Sequence, residues 1–100
     1  MANTFKVLFR GAAATSSTTL YTVPAATTAL VTSVIIVNTA GSNATFDMSL
    51  NDVQIANDVL APANDSVILE IKQVMDATQT LKALASATTV NFHISGLEIS

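Results

Sequence analysis

The chain contains no cysteine and no tryptophan, and it has only two prolines and three glycines in 100 residues. Without cysteine it can form neither a disulfide framework nor a thiolate site for metal binding or nucleophilic catalysis. A chain that needs no disulfides is compatible with assembly in a reducing cytoplasm.

Charge is also scarce, because only 11% of the residues are charged, and four basic residues stand against seven acidic ones. The resulting pI of about 4.6 argues against binding to a phosphate backbone, so we expect no nucleic acid partner. Half of the residues are hydrophobic, which excludes intrinsic disorder. A chain this apolar is expected to hide part of its surface in an assembly.

Long apolar runs are missing as well, since Thr and Ser interrupt every stretch well short of the roughly 18 residues of a membrane span. The opening residues 1–4 lack a basic segment followed by an apolar one, so they do not resemble a signal peptide. We therefore expect no membrane partner. The length fits one β-sandwich domain over residues 1–100, with residues 1–19 as an N-terminal strand and loop arm.

The chain does have period-two alternation, and it is most β-prone over residues 29–38. One face of this predicted strand carries Val34 and Ile36, and the other carries Val31, Ile35 and Val37. Both faces are apolar, so we expect the protein's own core on the first face and a neighbouring subunit on the second. Val31, Ile35 and Val37 are therefore candidate interface residues.

Similar alternation predicts further strands, and turn residues separate them. The strands are predicted at residues 4–10, 20–23, 44–50, 53–60, 66–72 and 89–99. Residues 39–43 are predicted to form a hairpin connection, with Gly41 and Asn43 available for positive φ, and residues 51–52 to form a tight turn. The pattern indicates an all-β protein, an antiparallel, jelly-roll-like β-sandwich of about eight strands.

Two places in the pattern are ambiguous. Residues 73–85 fit either a helix or a turn at 75–79 followed by a strand at 80–86, and we favour the strand because every other element is β. In the last strand the apolar positions change parity after Gly96. A one-residue bulge at residues 95–96 would return Leu97 and Ile99 to the inner face.

The same alternation predicts a buried core drawn from most of the strands. Its expected members are Phe5, Val7, Phe9, Val34, Ile36, Phe46, Met48, Leu50, Val67, Leu69, Leu81, Phe92 and Ile94.

Residues able to carry chemistry are few. The single histidine, His93, lies on the outward parity of the last strand with no nucleophile or carboxylate nearby in sequence, and the chain has no Gly-x-Ser-x-Gly elbow. Three Asn-Asp pairs, at residues 51–52, 57–58 and 64–65, could supply oxygen ligands to calcium, but they are more typical of turns. Tyr21 is the one aromatic ring expected at the surface, which disfavours a sugar-binding platform.

Two parts of the chain carry a family resemblance. Leu20-Tyr21-Thr22-Val23-Pro24-Ala25 leads into the run from Thr28 to Thr39, and residues 63–67, 80–86 and 96–99 continue the pattern. Over about residues 20–99 this course resembles small tailed-bacteriophage virion proteins. The resemblance implies a β-sandwich with a structural role in heads or tails and no catalytic or ligand residues. Because residues 1–19 lie outside the pattern, Thr4, Lys6 and Arg10 are further candidate interface residues.

We therefore expect a virion structural protein, assembled in the host cytoplasm, that acts as a capsid decoration (cement) protein. Its expected partners are the major capsid protein and further copies of itself, a trimer being one arrangement. We expect no enzymatic activity, no cofactor and no metal. The alternative is a tail or fibre component that contacts the host surface. A carbohydrate-binding module or a small hydrolase is disfavoured by the missing aromatic platform and catalytic triad.

Overall fold

The computed structural model describes residues 3–100, and over these residues the chain forms nine β-strands and no helix. The strands are β1 (Asn3–Ala12), β2 (Thr18–Thr22), β3 (Thr28–Asn38), β4 (Ala44–Leu50), β5 (Val53–Ala61), β6 (Asp65–Leu69), β7 (Gln73–Met75), β8 (Thr80–Ala85) and β9 (Val90–Ile99). This part of the chain therefore contains no helix that could cross a membrane.

The strands form two antiparallel sheets packed as a sandwich. Sheet A has the order β1-β9-β3-β6, and sheet B has the order β2-β8-β4-β5. In sheet A, β6 pairs with the second half of β3 and β7 pairs with its first half. The pairs are nested, β1 with β9, β2 with β8, β3 with β6 and β7, and β4 with β5. This nesting is a jelly roll, in which a chain doubled back on itself is wrapped into two sheets. The predicted fold class is confirmed.

The predicted segment 66–72 ends earlier than expected, and this accounts for the extra strand. β6 pairs with Val34–Asn38 of β3, whereas β7 pairs with residues 29–31 of the same strand. Residues 76–79 then connect β7 to β8, with Thr78 at a φ of 69°. Of the two alternatives for residues 73–85, the strand and turn are therefore correct.

The connection over residues 39–43 is not a hairpin, contrary to the prediction. β3 and β4 belong to different sheets, so the segment crosses from one sheet to the other, and Gly41 does not have positive φ. Buried Asn38 holds the crossing, because its Nδ2 donates hydrogen bonds to the carbonyl oxygens of Ser42 (2.8 Å) and Ala61 (3.0 Å). Its Oδ1 accepts a hydrogen bond from the backbone N–H of Ala40.

The core lies between the sheets and centres on Phe46 of sheet B and Phe92 of sheet A. Both rings are fully buried, and they pack edge to face with centroids 6.2 Å apart. Of the predicted core, Val34, Ile36, Phe46, Met48, Leu81, Phe92 and Ile94 are buried. Phe9, Leu50, Val67 and Leu69 are partly buried and pack against them.

The prediction for Phe5 and Val7 is wrong, because they are 91% and 47% exposed and point away from the core. β1 has an extra residue, Leu8, between Val7, which pairs with Ser95, and Phe9, which pairs with Ile94. This bulge reverses the parity of the strand, so Leu8 and Phe9 face the core while Phe5 and Val7 face outward.

The predicted bulge at residues 95–96 is also wrong, since β9 keeps its alternation and the neighbouring strands carry the extra residues. Thr32 is the bulged residue of β3, between Val31 opposite Gly96 and Ser33 opposite Ser95. Val31 is consequently in the core, with no exposed surface, whereas it was expected on the second face of the strand. Leu97 and Ile99 remain on the outer face.

Candidate functional site

The outer face of sheet A consists of the side chains that point away from the core on β1, β9, β3, β6 and β7. At one end, strand pairing aligns four apolar residues across the sheet, in the order Phe5, Leu97, Leu30 and Val74. Phe5 is 91% exposed and Val74 is 64% exposed. We call this line of residues the apolar row.

A second line, further along the strands, runs Arg10, His93, Ile35 and Ile68. Ile68 is 62% exposed, and Ile35 lies beside it. Val37 lies two residues beyond Ile35 and is partly buried. Arg10 and His93 thus share this line with two isoleucines. His93 faces outward, as the alternation in the last strand predicted.

A line of one valine and two serines separates these two lines. Val7, Ser95 and Ser33 are aligned across β1, β9 and β3, next to the two bulged residues. A shallow hollow opens there, lined by Phe5, Lys6, Val7, Thr32, Ser95 and Gly96. The outer face thus has an exposed aromatic ring directly beside a hollow.

The two faces of the sandwich differ in charge. None of the outward positions that strand pairing aligns on sheet A holds a carboxylate. Sheet B instead aligns polar residues across its middle, Thr19, Lys82, Ser49 and Gln54, and Lys82 forms an ion pair with Asp52. The large exposed apolar side chains of sheet B lie on its edge strand β5. Among the described residues, the outer face of sheet A therefore carries more of the large exposed apolar side chains than sheet B does.

The structure distributes the candidate interface residues over three environments. Ile35, Val37 and Arg10 lie on the outer face of sheet A. Val31 is in the core. Thr4 and Lys6 have the opposite parity to Phe5, and Lys6 pairs with Glu98 at 3.4 Å. Residues 1–2 of the predicted arm lie outside the described residues.

Sequence reasoning missed the apolar row. In the sequence, Leu97 and Ile99 mark a change of parity in the last strand, and the predicted bulge at residues 95–96 would have turned both side chains inward. Without that bulge, the same pattern places both on the outer face. For Phe5 and Val74 no local signal existed, because their orientation depends on the bulge at Leu8 and on how β7 pairs with β3.

A polar cluster links the two sheets near the end of β9. The Tyr21 hydroxyl on β2 donates a hydrogen bond to Glu98 on β9, and Lys6 on β1 forms an ion pair with the same carboxylate. Burial, the hydrogen bond to Glu98 and the charge of Glu98 all raise the pKa of Tyr21 well above its usual range. The cluster fastens sheet B to sheet A.

The Asn-Asp pairs form turns and a bulge. Asn51 and Asp52 have φ values of 50° and 62°, which give the two-residue type I′ turn between β4 and β5. Asp58 (φ 51°) lies in a bulge of β5, and Asn64 (φ 53°) precedes β6. Within residues 3–100, no three His, Asp or Glu side chains come together in a group that could hold a metal ion. The turn interpretation accounts for these pairs.

No protein-family model and no curated protein matches the chain. The solved structures that align with it include two that cover 90% of the chain, and both are crystal structures of a pentameric capsid protein isolated from metagenomic phage sequences. They are 16% and 14% identical to this chain, with TM-scores of 0.39 and 0.34. The chain spans about 60% of the length of these proteins.

Proposed function

We propose that this protein is a structural component of a tailed-bacteriophage virion, and specifically a capsid decoration (cement) protein. The observation that carries this proposal is the outer face of sheet A, an apolar sheet surface free of carboxylates at its aligned positions. Contiguous apolar surface of this kind marks a site of protein–protein contact. The resemblance of residues 20–99 to tailed-bacteriophage virion proteins supports a phage particle as the assembly.

The proposed mechanism is mechanical and involves no enzymatic step. Covering a side chain such as Ile68 or Val74 contributes roughly 1.5–3 kcal/mol if it is fully removed from water. Several such residues on one face supply enough free energy to hold the protein on a particle and to tie neighbouring subunits together. The partners are other proteins of the head, which are the major capsid protein and further copies of this chain.

Copy number in purified particles tests the decoration role. We expect the chain to be present in amounts comparable to the major capsid protein, as measured by quantitative gel or mass spectrometry. We also expect heads stripped of it to release DNA at a lower temperature. A copy number that is a small fraction of that of the capsid protein would favour the tail or fibre alternative.

A matched pair of variants tests the face itself. Ile35→Asp places a charge in the middle of the outer face of sheet A, where the side chain is already 36% exposed, so the fold should persist. Its copy number on particles should fall. Leu60→Asp alters a 52% exposed position on sheet B and should leave the copy number unchanged. Full occupancy by Ile35→Asp would contradict the assignment of this face.

A further inference from the structure

We infer that residues 3–7 form a strap that opens from its own molecule and pairs with strand β9 of a second copy of this chain. The inference rests on the proposed function and deepens it, because it names the segment that ties neighbouring copies together. It follows from how weakly this half of β1 is held and from how completely the edge that receives it is formed by other strands.

The strap is the first half of β1, and none of its residues is buried. All five residues from Asn3 to Val7 are exposed, and Phe5 is 91% exposed although its side chain is large and apolar. Because β1 is an edge of sheet A, the strap pairs within the sheet with β9 alone. Segments that bury few apolar contacts open at a low cost in free energy. The strap can therefore leave β9 while the sandwich stays folded.

The second half of β1 is anchored, and the bulge at Leu8 marks the boundary between the two halves. Leu8 is buried, and Phe9 packs against the core. Just beyond the strand, the backbone N–H of Ala13 donates a hydrogen bond to the carbonyl oxygen of Val90 (2.8 Å). A bulge bends a strand and interrupts its ladder. The structure thus has a hinge between a fixed half of β1 and a strap of five residues.

The edge of β9 that faces the strap is held by other parts of the molecule. Residues 96–99 of β9 also pair with residues 28–31 of β3, which fix this half of β9 from the other side. Glu98 accepts a hydrogen bond from the Tyr21 hydroxyl, so the carboxylate that pairs with Lys6 is positioned by a residue outside the strap. An opened molecule therefore presents a formed strand edge whose backbone groups lack partners.

The segment that fits this edge is the strap itself. It pairs with residues 95–99 of β9 at five consecutive positions, and Lys6 forms an ion pair with Glu98 at 3.4 Å. Every copy carries the same segment, so the strap of a neighbour makes the same contacts and the exchange requires no new complementarity. Copies held side by side on a particle, as the proposed function has them, raise the effective concentration of neighbouring straps.

Exchange leaves the outer face of sheet A assembled. Phe5 of the incoming strap lies beside Leu97 of the receiving copy, in the position that the receiving copy's own Phe5 has left. The apolar row is then completed by two chains. It remains on the face that the proposed function assigns to contact with the particle.

Disulfide trapping tests the exchange, and the absence of native cysteine makes it specific. Val7→Cys and Ser95→Cys, which lie opposite each other on β1 and β9, are prepared as separate full-length proteins, mixed and oxidised. We expect a disulfide-linked dimer of one variant with the other. Intact mass spectrometry distinguishes it from dimers of like variants, because the two substitutions change the mass by different amounts.

Arg10→Cys mixed with His93→Cys is the matched control. This pair also lies opposite across β1 and β9, with the β1 residue exposed and the β9 residue partly buried as in the first pair, but it lies beyond the hinge. It should give little mixed dimer. Absence of the mixed dimer of Val7→Cys with Ser95→Cys, or equal yields from the two mixtures, would overturn the inference.

Hydrogen exchange tests the hinge. A double variant that carries Val7→Cys and Ser95→Cys in one chain, oxidised at low protein concentration, closes the strap with an internal disulfide. Amide exchange in residues 3–7 should be slower in the oxidised form than in the reduced form, whereas exchange in residues 9–12 should be the same in both. Equal exchange of residues 3–7 in the two forms would contradict a strap that opens at Leu8.

Particle binding separates this inference from the proposed function. Mixed dimers of Val7→Cys with Ser95→Cys, formed by a protein that is absent from purified heads, would support the strap and overturn the decoration role. A protein that is abundant on heads, but whose two variants give no mixed dimer, would support decoration and overturn the strap.

Discussion

Phe92 shows how one buried side chain contributes to the stability of this protein. It is fully buried at the centre of the core and packs edge to face against Phe46. Phe92→Ala should lower the free energy of unfolding by about 3–5 kcal/mol, because transfer energy is lost and a cavity remains. Phe5→Ala is the matched control, and it should change stability by less than about 0.5 kcal/mol since Phe5 is exposed. Urea denaturation measures both, and similar losses would refute the orientation of β1.

Gly96 is required for a close approach between strands. A Cβ atom at this position would clash with the backbone oxygen of Leu30 and would lie 2.9 Å from Cδ1 of Leu8. Gly96→Ala should therefore destabilise the protein by about 1–3 kcal/mol, as overpacked sites do. At Gly41 an added Cβ meets nothing within 4 Å, so Gly41→Ala should be neutral or stabilising by up to about 1 kcal/mol. Thermal melts compare the two, and equal tolerance would contradict the packing at Gly96.

Because of Tyr21, the free energy of unfolding should fall at alkaline pH. Its pKa in the folded state is raised by burial, by the hydrogen bond to Glu98 and by the charge of Glu98, whereas the unfolded value is about 10. The folded state therefore favours the neutral phenol. The contribution of Tyr21 is fully present below about pH 10 and is lost as the pH rises toward the folded pKa.

Absorbance checks this directly, because Tyr21 is the one tyrosine and tryptophan is absent. Phenolate absorbance should appear at higher pH in the native protein than in urea. In Tyr21→Phe the alkaline loss of stability should be smaller than in wild type. Coincident titrations of native and unfolded protein would contradict the contact with Glu98.

At the scale of elements, turn geometry decides where strands end. The β4–β5 turn needs positive φ at both Asn51 and Asp52, and asparagine tolerates that region better than alanine does. Asn51→Ala should cost about 1–2 kcal/mol, whereas Asn51→Gly should stay within about 0.5 kcal/mol of wild type. Chemical denaturation of the two variants measures the difference, and a harmless Asn51→Ala would contradict the turn type.

At the scale of the whole molecule, the jelly roll joins the two ends of the chain. β9 lies between β1 and β3 in sheet A, so its pairings span nearly the full sequence. A chain ending at residue 89 should be unfolded, because sheet A loses its second strand and the buried residues Phe92 and Ile94. Removal of Ser100 alone is the control and should be harmless. Cooperative unfolding of the 89-residue chain, followed by circular dichroism, would contradict this dependence.

The sequence by itself determined the fold class and much of the core. Alternation of apolar residues predicts a strand regardless of which other strand it pairs with. For this reason β4 and the buried positions Val34, Ile36, Phe46 and Phe92 were correctly predicted. The Asn51-Asp52 turn was equally readable, since it depends on local φ preferences.

Tertiary structure alone decided which residues form the outer face of sheet A. Ile35 and Val37 could be predicted there, but Phe5 and Val31 were assigned to the wrong sides. The bulges at Leu8 and Thr32 reverse the parity within single strands, and they arise where β1 and β3 meet β9 around Gly96. Parity is a local pattern, whereas a bulge is a mismatch between two paired strands. One strand's sequence cannot contain that mismatch, and so the surface appears only when the sheet is assembled.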